Sequence, residues 1–496
     1  MHQSAEATPP FRGALRKQIL INNSTSSFLL LLATAVSVAG AESPAWPGFR
    51  GPNSSGVALK ATPPIKISPT NLVLWKTPVS WSPSCPLVSG DKIFLTAYED
   101  GELQTRCYQR ADGKLAWSRG VKAEKLESYH RTESSPAAST PVTDGKCVVS
   151  YFGSFGLACY DLKGNELWRH PLPVALSPGN YGTGTCPLIA GNVVLVNHDQ
   201  DERSSLLAVN LETGKTVWET PRPDAQGSFG TPILWQNTGI DEVIVPGSVI
   251  LKGYSLKTGK EDWRVEGVTA FACTTPVIGN DLLYFAAWTD GKSDDPLPPW
   301  EKFVEKHDKN RDGMVTLDEV EAASRDYFLG YDANRDGKID KSDFVLLNAS
   351  LAKGENVVIA VKPGGKGNIT ETHVAWKATR GLPYVASPLF YDGRIYFIKN
   401  GGMLSCLDAK TGEPYYTQER IEAPGYYYCS PVAADGRIYM ANATGKFTVI
   451  KAGGGKPEIL HQVEFGERIY ATPALVEDKL YLRTESALYA FGPRNN

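Results

Sequence analysis

The sequence predicts an all-β fold, an eight-bladed β-propeller with a small α-helical insertion in blade 5. The main observation behind this prediction is a short motif that occurs eight times. Most copies lie 42 to 55 residues apart, whereas one interval is 112 residues long. The chain has 496 residues, is 42% apolar and contains 47 glycines, so it can bury a large core and form many tight turns.

The repeated motif is a Ser, Thr or Cys followed by Pro, and a polar turn and an apolar strand follow most copies. Four short strands in 42 to 46 residues describe a propeller blade. A generic β-sandwich gives no reason for eight near-equal periods. The copies are Cys85-Pro86, Thr140-Pro141, Cys186-Pro187, Thr231-Pro232, Thr275-Pro276, Ser387-Pro388, Ser430-Pro431 and Thr472-Pro473.

Each repeat continues into a third strand, a glycine turn and an aromatic residue, as in Thr213-Gly214 followed by Trp218. Glycine tolerates the positive φ of such a turn, and the Trp can pack between neighbouring sheets. The last repeat, 469–492, lacks this turn and its Trp. The segment 73–76 has the pattern of the final strand of a repeat, but the other strands of that repeat do not precede it. We therefore expect the N-terminal segment to complete the eighth blade.

The long interval places an insertion inside the fifth blade, after Ala287-Trp288. Two segments in it, 308–319 and 332–343, fit the EF-hand calcium loop. The second loop ends in Asp rather than Glu, so we expect it to bind more weakly or to tolerate Mg²⁺. The expected ligands are Asp308, Asn310, Asp312, Met314 (through its carbonyl), Thr316 (through water) and Glu319, then Asp332, Asn334, Asp336, Lys338 (through its carbonyl), Asp340 and Asp343.

Apolar residues at helical spacing flank both loops, which predicts a helix on each side. Only 12 residues, 320–331, separate the loops, so one helix must leave the first loop and enter the second. Val315 and Ile339 are expected to pair the loops through a short β-bridge. Two loops in tandem between apolar helices are not expected of a merely solvated acidic segment, and the small spacing favours a structural calcium module.

The N-terminus has the pattern of an export signal. Basic residues precede an apolar run at 28–38, and Ala39-Gly40-Ala41 follows as a cleavage pattern. That run is too short to span a bilayer. We expect a signal peptide at 1–41, no membrane span after its cleavage, and a periplasmic or secreted protein. The remaining chain then divides into an extension (42–70), the first part of the propeller (71–291), the insertion (292–353) and the second part of the propeller (354–496).

Charge and cysteine spacing exclude several classes of partner. The net charge is −3 and there is no long run of Lys or Arg, so nucleic acid is not an expected partner. There is no C-x-x-C pattern, which argues against haem attachment and a zinc ribbon. Cys147 and Cys159 lie symmetrically about Gly153 in a predicted hairpin, which would place them opposite each other at disulfide distance.

The repeats and the segment Trp46-Pro47-Gly48-Phe49-Arg50-Gly51-Pro52-Asn53 together resemble the bacterial β-propeller repeat proteins of the pyrroloquinoline-quinone (PQQ)-binding-like type. That group is related in fold to an outer-membrane protein assembly lipoprotein and to quinoprotein alcohol dehydrogenases, whose functions differ. The resemblance therefore does not choose the function. Quinoprotein dehydrogenases of this class carry two adjacent cysteines over the cofactor, and no two of the eight cysteines here are adjacent.

Aromatic residues just before the inner strands are expected around one mouth of the central channel. Such a collar suits a sugar, a peptide or another flat ligand, although packing between blades explains these residues equally well. Polar residues near the hub fit hydrogen bonding at the blade tops better than catalysis; they are His130, Arg131, Glu133, Asn197, Asp199 and Asp201. The aromatic residues are Trp81, Tyr181, Phe229, Phe271, Tyr384, Tyr426, Tyr427, Tyr428 and Tyr470.

These observations predict an exported, calcium-binding propeller that acts as a binding or scaffold protein in the cell envelope. Its expected partner is an envelope protein, a peptide or a glycan. The alternative is a PQQ-dependent quinoprotein oxidoreductase that acts on an alcohol or a sugar. No specific residue supports PQQ, so we rank this alternative second.

Overall fold

The computed structural model describes residues 46–200, 203–224, 227–237, 239–289, 297–321, 325–334 and 336–494. The predicted signal peptide at 1–41 lies outside them. Eight antiparallel sheets of four strands follow one another along the chain, and a fifth, parallel strand is added to the fourth sheet. This agrees with the predicted number of blades. None of the described helices has the length and apolarity needed to cross a bilayer.

The first four blades consist of consecutive strands. Their central strands are buried, whereas the outermost strands are largely exposed or half-buried. The strands are β1 (Val73–Pro78), then β2 (Leu87–Ser89), β3 (Lys92–Glu99), β4 (Glu102–Gln109) and β5 (Leu115–Val121) in blade 1; β6 (Val142–Thr143), β7 (Cys147–Phe152), β8 (Gly156–Asp161) and β9 (Glu166–Pro171) in blade 2; β10 (Leu188–Ala190), β11 (Val193–His198), β12 (Ser205–Asn210) and β13 (Thr216–Pro221) in blade 3; and β14 (Ile233–Asn237), β15 (Ile240–Gly247), β16 (Ile250–Ser255) and β17 (Glu261–Glu266) in blade 4.

The fifth blade is interrupted, and the last three blades are regular. The strands are β18 (Val277–Gly279), β19 (Leu282–Ala287), β20 (Val315–Thr316) and β21 (Lys338–Ile339) of the insertion, β22 (Val357–Val361), β23 (Gly367–Asn368), which joins blade 4, and β24 (Val374–Ala378) in blade 5; β25 (Leu389–Tyr391), β26 (Arg394–Lys399), β27 (Met403–Asp408) and β28 (Pro414–Arg420) in blade 6; β29 (Val432–Ala434), β30 (Arg437–Ala441), β31 (Lys446–Lys451) and β32 (Glu458–Glu464) in blade 7; and β33 (Ala474–Val476), β34 (Lys479–Arg483) and β35 (Ala487–Phe491) in blade 8.

A closed ring of hydrogen bonds joins all eight blades at the hub. In each repeat motif the backbone N–H of the residue before proline donates to the side chain of the equivalent residue in the next blade. All eight residues are buried, and this ring confirms the predicted propeller. The bonds run from Cys85 N to Thr140 Oγ1 (2.9 Å), Thr140 N to Cys186 Sγ (3.2 Å), Cys186 N to Thr231 Oγ1 (3.1 Å), Thr231 N to Thr275 Oγ1 (2.9 Å), Thr275 N to Ser387 Oγ (3.0 Å), Ser387 N to Ser430 Oγ (3.0 Å), Ser430 N to Thr472 Oγ1 (3.0 Å) and Thr472 N to Cys85 Sγ (3.1 Å).

The predicted closure of the ring by the N-terminal segment is confirmed. Strand β1 pairs antiparallel with β35, with Lys76 opposite Tyr489, and it supplies the fourth strand of blade 8. The first and last parts of the described chain therefore share one sheet.

A repeated Trp–Gly contact joins the outer parts of neighbouring blades, as predicted. Trp75 Nε1 donates to the Arg110 carbonyl of the next blade (3.0 Å). The turn residue Gly113, at φ 72°, lies flat against the Trp75 ring, where a Cβ would come within 2.5 Å of it. The same arrangement recurs for Trp117 with Gly164, Trp168 with Gly214, Trp218 with Gly259 and Trp376 with Gly412.

The N-terminal extension crosses the face of the propeller at which the inner strands end. Trp46 forms a β-bridge with Val88 of β2. Arg50 is buried and donates to the carbonyl of Pro388 in the repeat motif of blade 6 (2.7 Å). Asn53, in a short 3₁₀ helix at Pro52–Ser54, exchanges two hydrogen bonds with the backbone of Leu234 in blade 4. The extension is therefore tied to blades on opposite sides of the hub.

The insertion lies between β19 and β22, inside blade 5 as predicted. It contains α1 (Trp300–His307), α2 (Arg325–Tyr331) and α3 (Lys341–Ala352), and a shorter helix, α4 (Thr370–His373), follows β23. Strands β20 and β21 pair with Val315 opposite Ile339, so the predicted bridge between the loops is confirmed. A small separate core holds the insertion together: Phe303, Val315, Val320, Phe328, Ile339 and Phe344.

The expectation that Cys147 lies directly opposite Cys159 is wrong, because the hairpin has a different register, although the two thiols still lie within hydrogen-bonding reach of each other. The loop is three residues long, 153–155, so Phe152 pairs with Gly156 and the centre of the turn lies one residue later than assumed. Cys147 consequently pairs with Asp161, and Cys159 pairs with Val149. All eight cysteines are reduced in the structure.

The hub ring yields a test of what holds the blades together. We expect Thr231→Val to lower the free energy of unfolding by about 1–3 kcal/mol, because the buried N–H of Cys186 loses its acceptor while the side-chain shape is kept. Urea denaturation measures this change. Thr231→Ser keeps the oxygen and should stay close to the parent protein. A valine variant as stable as the parent would show that the ring bond contributes nothing.

Candidate functional site

A cavity of about 740 Å³ lies at the centre of the propeller. All eight residues of the hub ring line it, and Phe49 of the N-terminal extension lines it as well. Each hydroxyl oxygen of the ring accepts one backbone N–H, and a hydroxyl group retains a proton that it can donate. The hub therefore gives the cavity a polar floor that carries no formal charge.

An aromatic collar surrounds this floor, and it contains six of the nine predicted residues: Tyr181, Phe229, Phe271, Tyr384, Tyr428 and Tyr470. The other three do not line the cavity. Tyr427 is buried and donates to the Ala423 carbonyl (2.7 Å), so it packs inside its blade. Tyr426 is 61% exposed and stacks on Tyr428. Trp81 packs edge-on against Tyr470, with ring centroids 5.1 Å apart.

The insertion lines the same cavity from the side of the collar. Gly330 of α2 lies close to Gly179, in a 3₁₀ turn at Pro178–Asn180 of blade 3. Sequence reasoning predicted the insertion and the collar but did not place one against the other. The insertion residues that line the cavity are Leu297, Gly330, Tyr331, Asp332, Ala333, Asn334, Leu346, Leu347 and Leu351.

The charged residues in the cavity lining are Glu133 and Asp332, both acidic. Among the described residues that line it, none is Lys, Arg or His. PQQ carries three carboxylates, and a buried anion needs a cationic or hydrogen-bonding partner to offset its desolvation. The described lining therefore offers hydroxyl donors but no basic side chain to such an anion.

The two thiols of the hub ring are poor nucleophiles. Burial raises the pKa of Cys186 to about 12, and burial also raises the pKa of Cys85. Both thiols are consequently protonated at neutral pH, and only a thiolate attacks efficiently. They act in the structure as acceptors of the hub ring.

The predicted polar residues of the hub are divided among several roles. Asp199 forms a fully buried ion pair with Arg222 (2.9 Å), and the Asn197 amide accepts from Thr185. The His130 ring stacks on Tyr181, with centroids 5.4 Å apart. The expected hydrogen-bonding role is observed for Asn197 and Asp199. Glu133 lines the cavity, Arg131 is exposed, and Asp201 lies outside the described residues.

One buried acid near the cavity was missed by sequence reasoning. Glu127 accepts hydrogen bonds from the backbone N–H (2.8 Å) and the hydroxyl (2.7 Å) of Thr183, a residue of the cavity wall. Burial raises the pKa of Glu127 to about 7. Glu127 is not itself part of the lining, so its contact with Thr183 positions the wall. Nothing in its sequence context distinguishes it from an ordinary loop glutamate.

The first predicted calcium loop is closed by its last acid, Glu319. The carboxylate accepts backbone N–H bonds from Lys309 (3.0 Å) and Asn310 (3.1 Å) at the start of the loop, and from Thr316 (2.8 Å) near its end. The bonds from Thr316 and Asn310 lower the pKa of Glu319, since they stabilise its charged form. Asp308, the first ligand residue, accepts N–H groups further along the loop.

The second loop has the same construction with a shorter last acid. Asp343 accepts from the backbone N–H of Asn334 (3.1 Å) and of Asp340 (2.8 Å). Burial raises the pKa of Asp332, and the negative charges of Asp343 and Asp336 raise it further. The carboxylates of Asp343 and Asp336 thus repel that of Asp332, and a bound cation would relieve this repulsion.

The remaining predicted ligands lie in the same two loops. Their oxygen atoms suit a hard divalent cation. No three Asp, Glu, His or Cys side chains form a metal-holding group in the described part of the chain, and the loop carboxylates are directed at backbone N–H groups. The residue types of the loops are those that calcium requires, while calcium binding stays a prediction. These ligands are Asp312, Met314, Thr316, Asp336 and Lys338.

Solved structures with the same fold differ in function. BamB from Moraxella catarrhalis aligns with a TM-score of 0.54 at 12% identity, covering 84% of this chain and 98% of that one. A europium-containing methanol dehydrogenase gives 0.57 at 12% identity, with 90% and 98% covered. The quinohemoprotein alcohol dehydrogenase from Comamonas testosteroni gives 0.50 at 12%, with 92% and 82% covered. At such low identity these similarities show the fold alone.

No curated protein matches the chain in sequence. A family model does match, through residues 65–176, 106–287 and 342–496, and it is described as outer membrane protein assembly factor BamB. These segments include strands of all eight blades and leave out most of the insertion. The chain belongs to the family of the outer membrane protein assembly factor BamB.

Proposed function

We propose that this protein is a calcium-binding propeller of the cell envelope that works by binding a ligand in its central cavity. The observation that carries the proposal is the cavity of about 740 Å³, with six aromatic side chains above an uncharged polar floor. Largely preformed cavities of this size, with aromatic walls and a few polar groups, are typical ligand sites.

The expected ligand is a neutral glycan or a peptide segment of an envelope protein. Tyr and Phe rings offer flat apolar surface, and the hydroxyl groups of the floor offer hydrogen bonds. The family name refers to assembly at the outer membrane. This supports an exported protein, periplasmic or secreted, that has partners in the envelope.

The oxidoreductase alternative has weaker support. Its support is the fold shared with two dehydrogenases, and a fold does not determine a function. The lining offers two carboxylates and, in the hub ring, protonated thiols, and none of its described residues is basic. We therefore rank ligand binding above quinone-dependent oxidation.

Calcium is proposed to stabilise the insertion. In the first loop Asp308, Asn310, Asp312 and Glu319 would supply side-chain oxygens, and Met314 its carbonyl. A bound ion would neutralise the acids that the loop's backbone N–H groups already orient. The helices that flank both loops would then be held against their common core.

We expect Ca²⁺ to protect the segment 300–351 against proteolysis, and Glu319→Gln to weaken this protection because the last ligand loses its charge. Limited proteolysis in Ca²⁺ and in EDTA measures the effect. Glu321→Gln is the matched control, since Glu321 is exposed and lies two residues beyond the loop. Equal digestion rates in Ca²⁺ and in EDTA would contradict calcium binding.

We expect a ligand from a panel of neutral oligosaccharides and uncharged peptides to raise the Tm of the protein. Tyr384→Ala should weaken that binding about tenfold, because an aromatic contact contributes roughly 0.5–1.5 kcal/mol beyond its buried area. Thermal shift across a ligand titration measures both effects. Tyr415→Ala removes an exposed tyrosine of the outer strand β28, outside the cavity, and should bind normally. Equal loss in both variants, or no stabilising compound in the panel, would refute binding in the cavity.

The residues that line the cavity also lead to a prediction about PQQ binding. Mixed with PQQ and Ca²⁺, the protein should take up no stoichiometric quinone, because the described lining holds no cation to pair with its carboxylates. Quinone absorbance after gel filtration and alcohol-dependent dye reduction measure this. Stoichiometric uptake with turnover would reverse the ranking of the two functions.

A further inference from the structure

The second predicted calcium loop and the central cavity share residues. Asp332 and Asn334 are the first and third ligand positions of that loop, and both line the cavity. We infer that the insertion is a roof over the ligand site, and that metal binding at the second loop controls access to the cavity. This inference rests on the proposed function, since it concerns the regulation of the same site.

The apolar face of α3 supports the assignment of a roof. Leu346, Leu347 and Leu351 line the cavity and do not belong to the core that holds the insertion together. They stand above a collar of Tyr and Phe rings, so the upper part of the cavity has apolar surface from two separate parts of the fold. Metal binding to EF-hand pairs commonly acts on such an apolar helix face.

The second loop and α3 share the residue Asp343. Asp343 lies in the first turn of α3 and is 1% exposed. Its carboxylate accepts the backbone N–H of Asn334, in the stretch of the loop that lines the cavity. Moving Asp343 to or from a metal ion therefore moves the start of α3 and the cavity wall together.

Because the second loop carries several carboxylates, its conformation depends on whether a metal ion is bound. Asp332 accepts the backbone N–H of Asp336, and Asp343 accepts that of Asn334, so the loop gathers three carboxylates that repel one another without a cation. A divalent ion turns this repulsion into attraction and holds the loop closed. By thermodynamic linkage, a ligand or substitution that favours the closed position of the roof also raises the affinity of the second loop for the metal ion.

The first loop serves as an internal comparison. Among its described residues, 308–319, none lines the cavity. Its last acid, Glu319, closes its own loop through Lys309 and Thr316. A metal ion there stabilises the insertion, whereas the second loop governs the cavity.

Cys273 provides a reporter in the unmodified protein. It lines the cavity and is partly exposed, whereas the other seven cysteines are buried. Iodoacetamide is small and uncharged, so its reaction with Cys273 reports access to the cavity. The rate is read by mass spectrometry on the full chain, in millimolar Ca²⁺ and in EGTA.

We expect Ca²⁺ to slow alkylation of Cys273 at least about fivefold, the lower end of typical coupling between sites. Asp343→Asn should abolish the slowing, and Glu319→Gln should keep most of it. Leu347→Ser, which leaves both loops intact, should speed alkylation in Ca²⁺ because it weakens the apolar contact of the roof. If Asp343→Asn and Glu319→Gln reduced the Ca²⁺-dependent slowing of alkylation equally, the assignment of the effect to the second loop would be wrong.

The outcomes separate this inference from the proposed function. If Ca²⁺ protects 300–351 from proteolysis while the Cys273 rate stays unchanged, the coupling is wrong and calcium binding stands. If Ca²⁺ changes neither the rate of proteolysis nor the rate of Cys273 alkylation, both calcium binding and the coupling are wrong. If the Cys273 rate responds to Ca²⁺ but no ligand of the panel binds, the roof stands and the proposed ligand class is wrong.

Discussion

The ring of eight hydrogen bonds at the hub is the constraint on which the propeller depends. At the centre of a closed ring of sheets, eight backbone N–H groups are buried close together, and each needs an acceptor. The acceptor comes from the next blade, so the residue before each proline must be short and must carry oxygen or sulfur. Proline follows without adding another N–H group. Because the ring is closed, the position of every blade depends on both of its neighbours.

The ring also determines where a ligand can bind. The side chains that form it are the floor of the cavity, and collar residues lie a few positions earlier in the same repeats, as Tyr384 does before Ser387 and Tyr428 before Ser430. The repeat that builds the fold therefore builds the site. The chemistry of the lining comes from carboxylates and hydroxyl groups, and none of its described residues is a base.

The features that the sequence predicted correctly are those that short patterns determine. The motif spacing gives the number of blades, the missing turn of the last repeat gives the closing strand, and the loop patterns give the helices and the bridge of Val315 with Ile339. The pairing of Cys147 failed because one residue in a turn changes the register of a hairpin. The ring itself was missed, since its bonds join residues 42 or more positions apart.

The position of the insertion over the cavity follows from strand direction and could have been deduced. The inner strand of a blade starts at the collar and the second strand runs back, so the turn between the second and third strands lies on the collar face. In blade 1, Ser80 lies before the inner strand and Glu99 lies at the end of the second strand, β3. The side-chain hydrogen bond between them shows that these two ends lie on the same face. An insertion between β19 and β22 must therefore emerge beside the collar. An insertion after the first or third strand would emerge on the opposite face, where the segment from Trp46 crosses the hub.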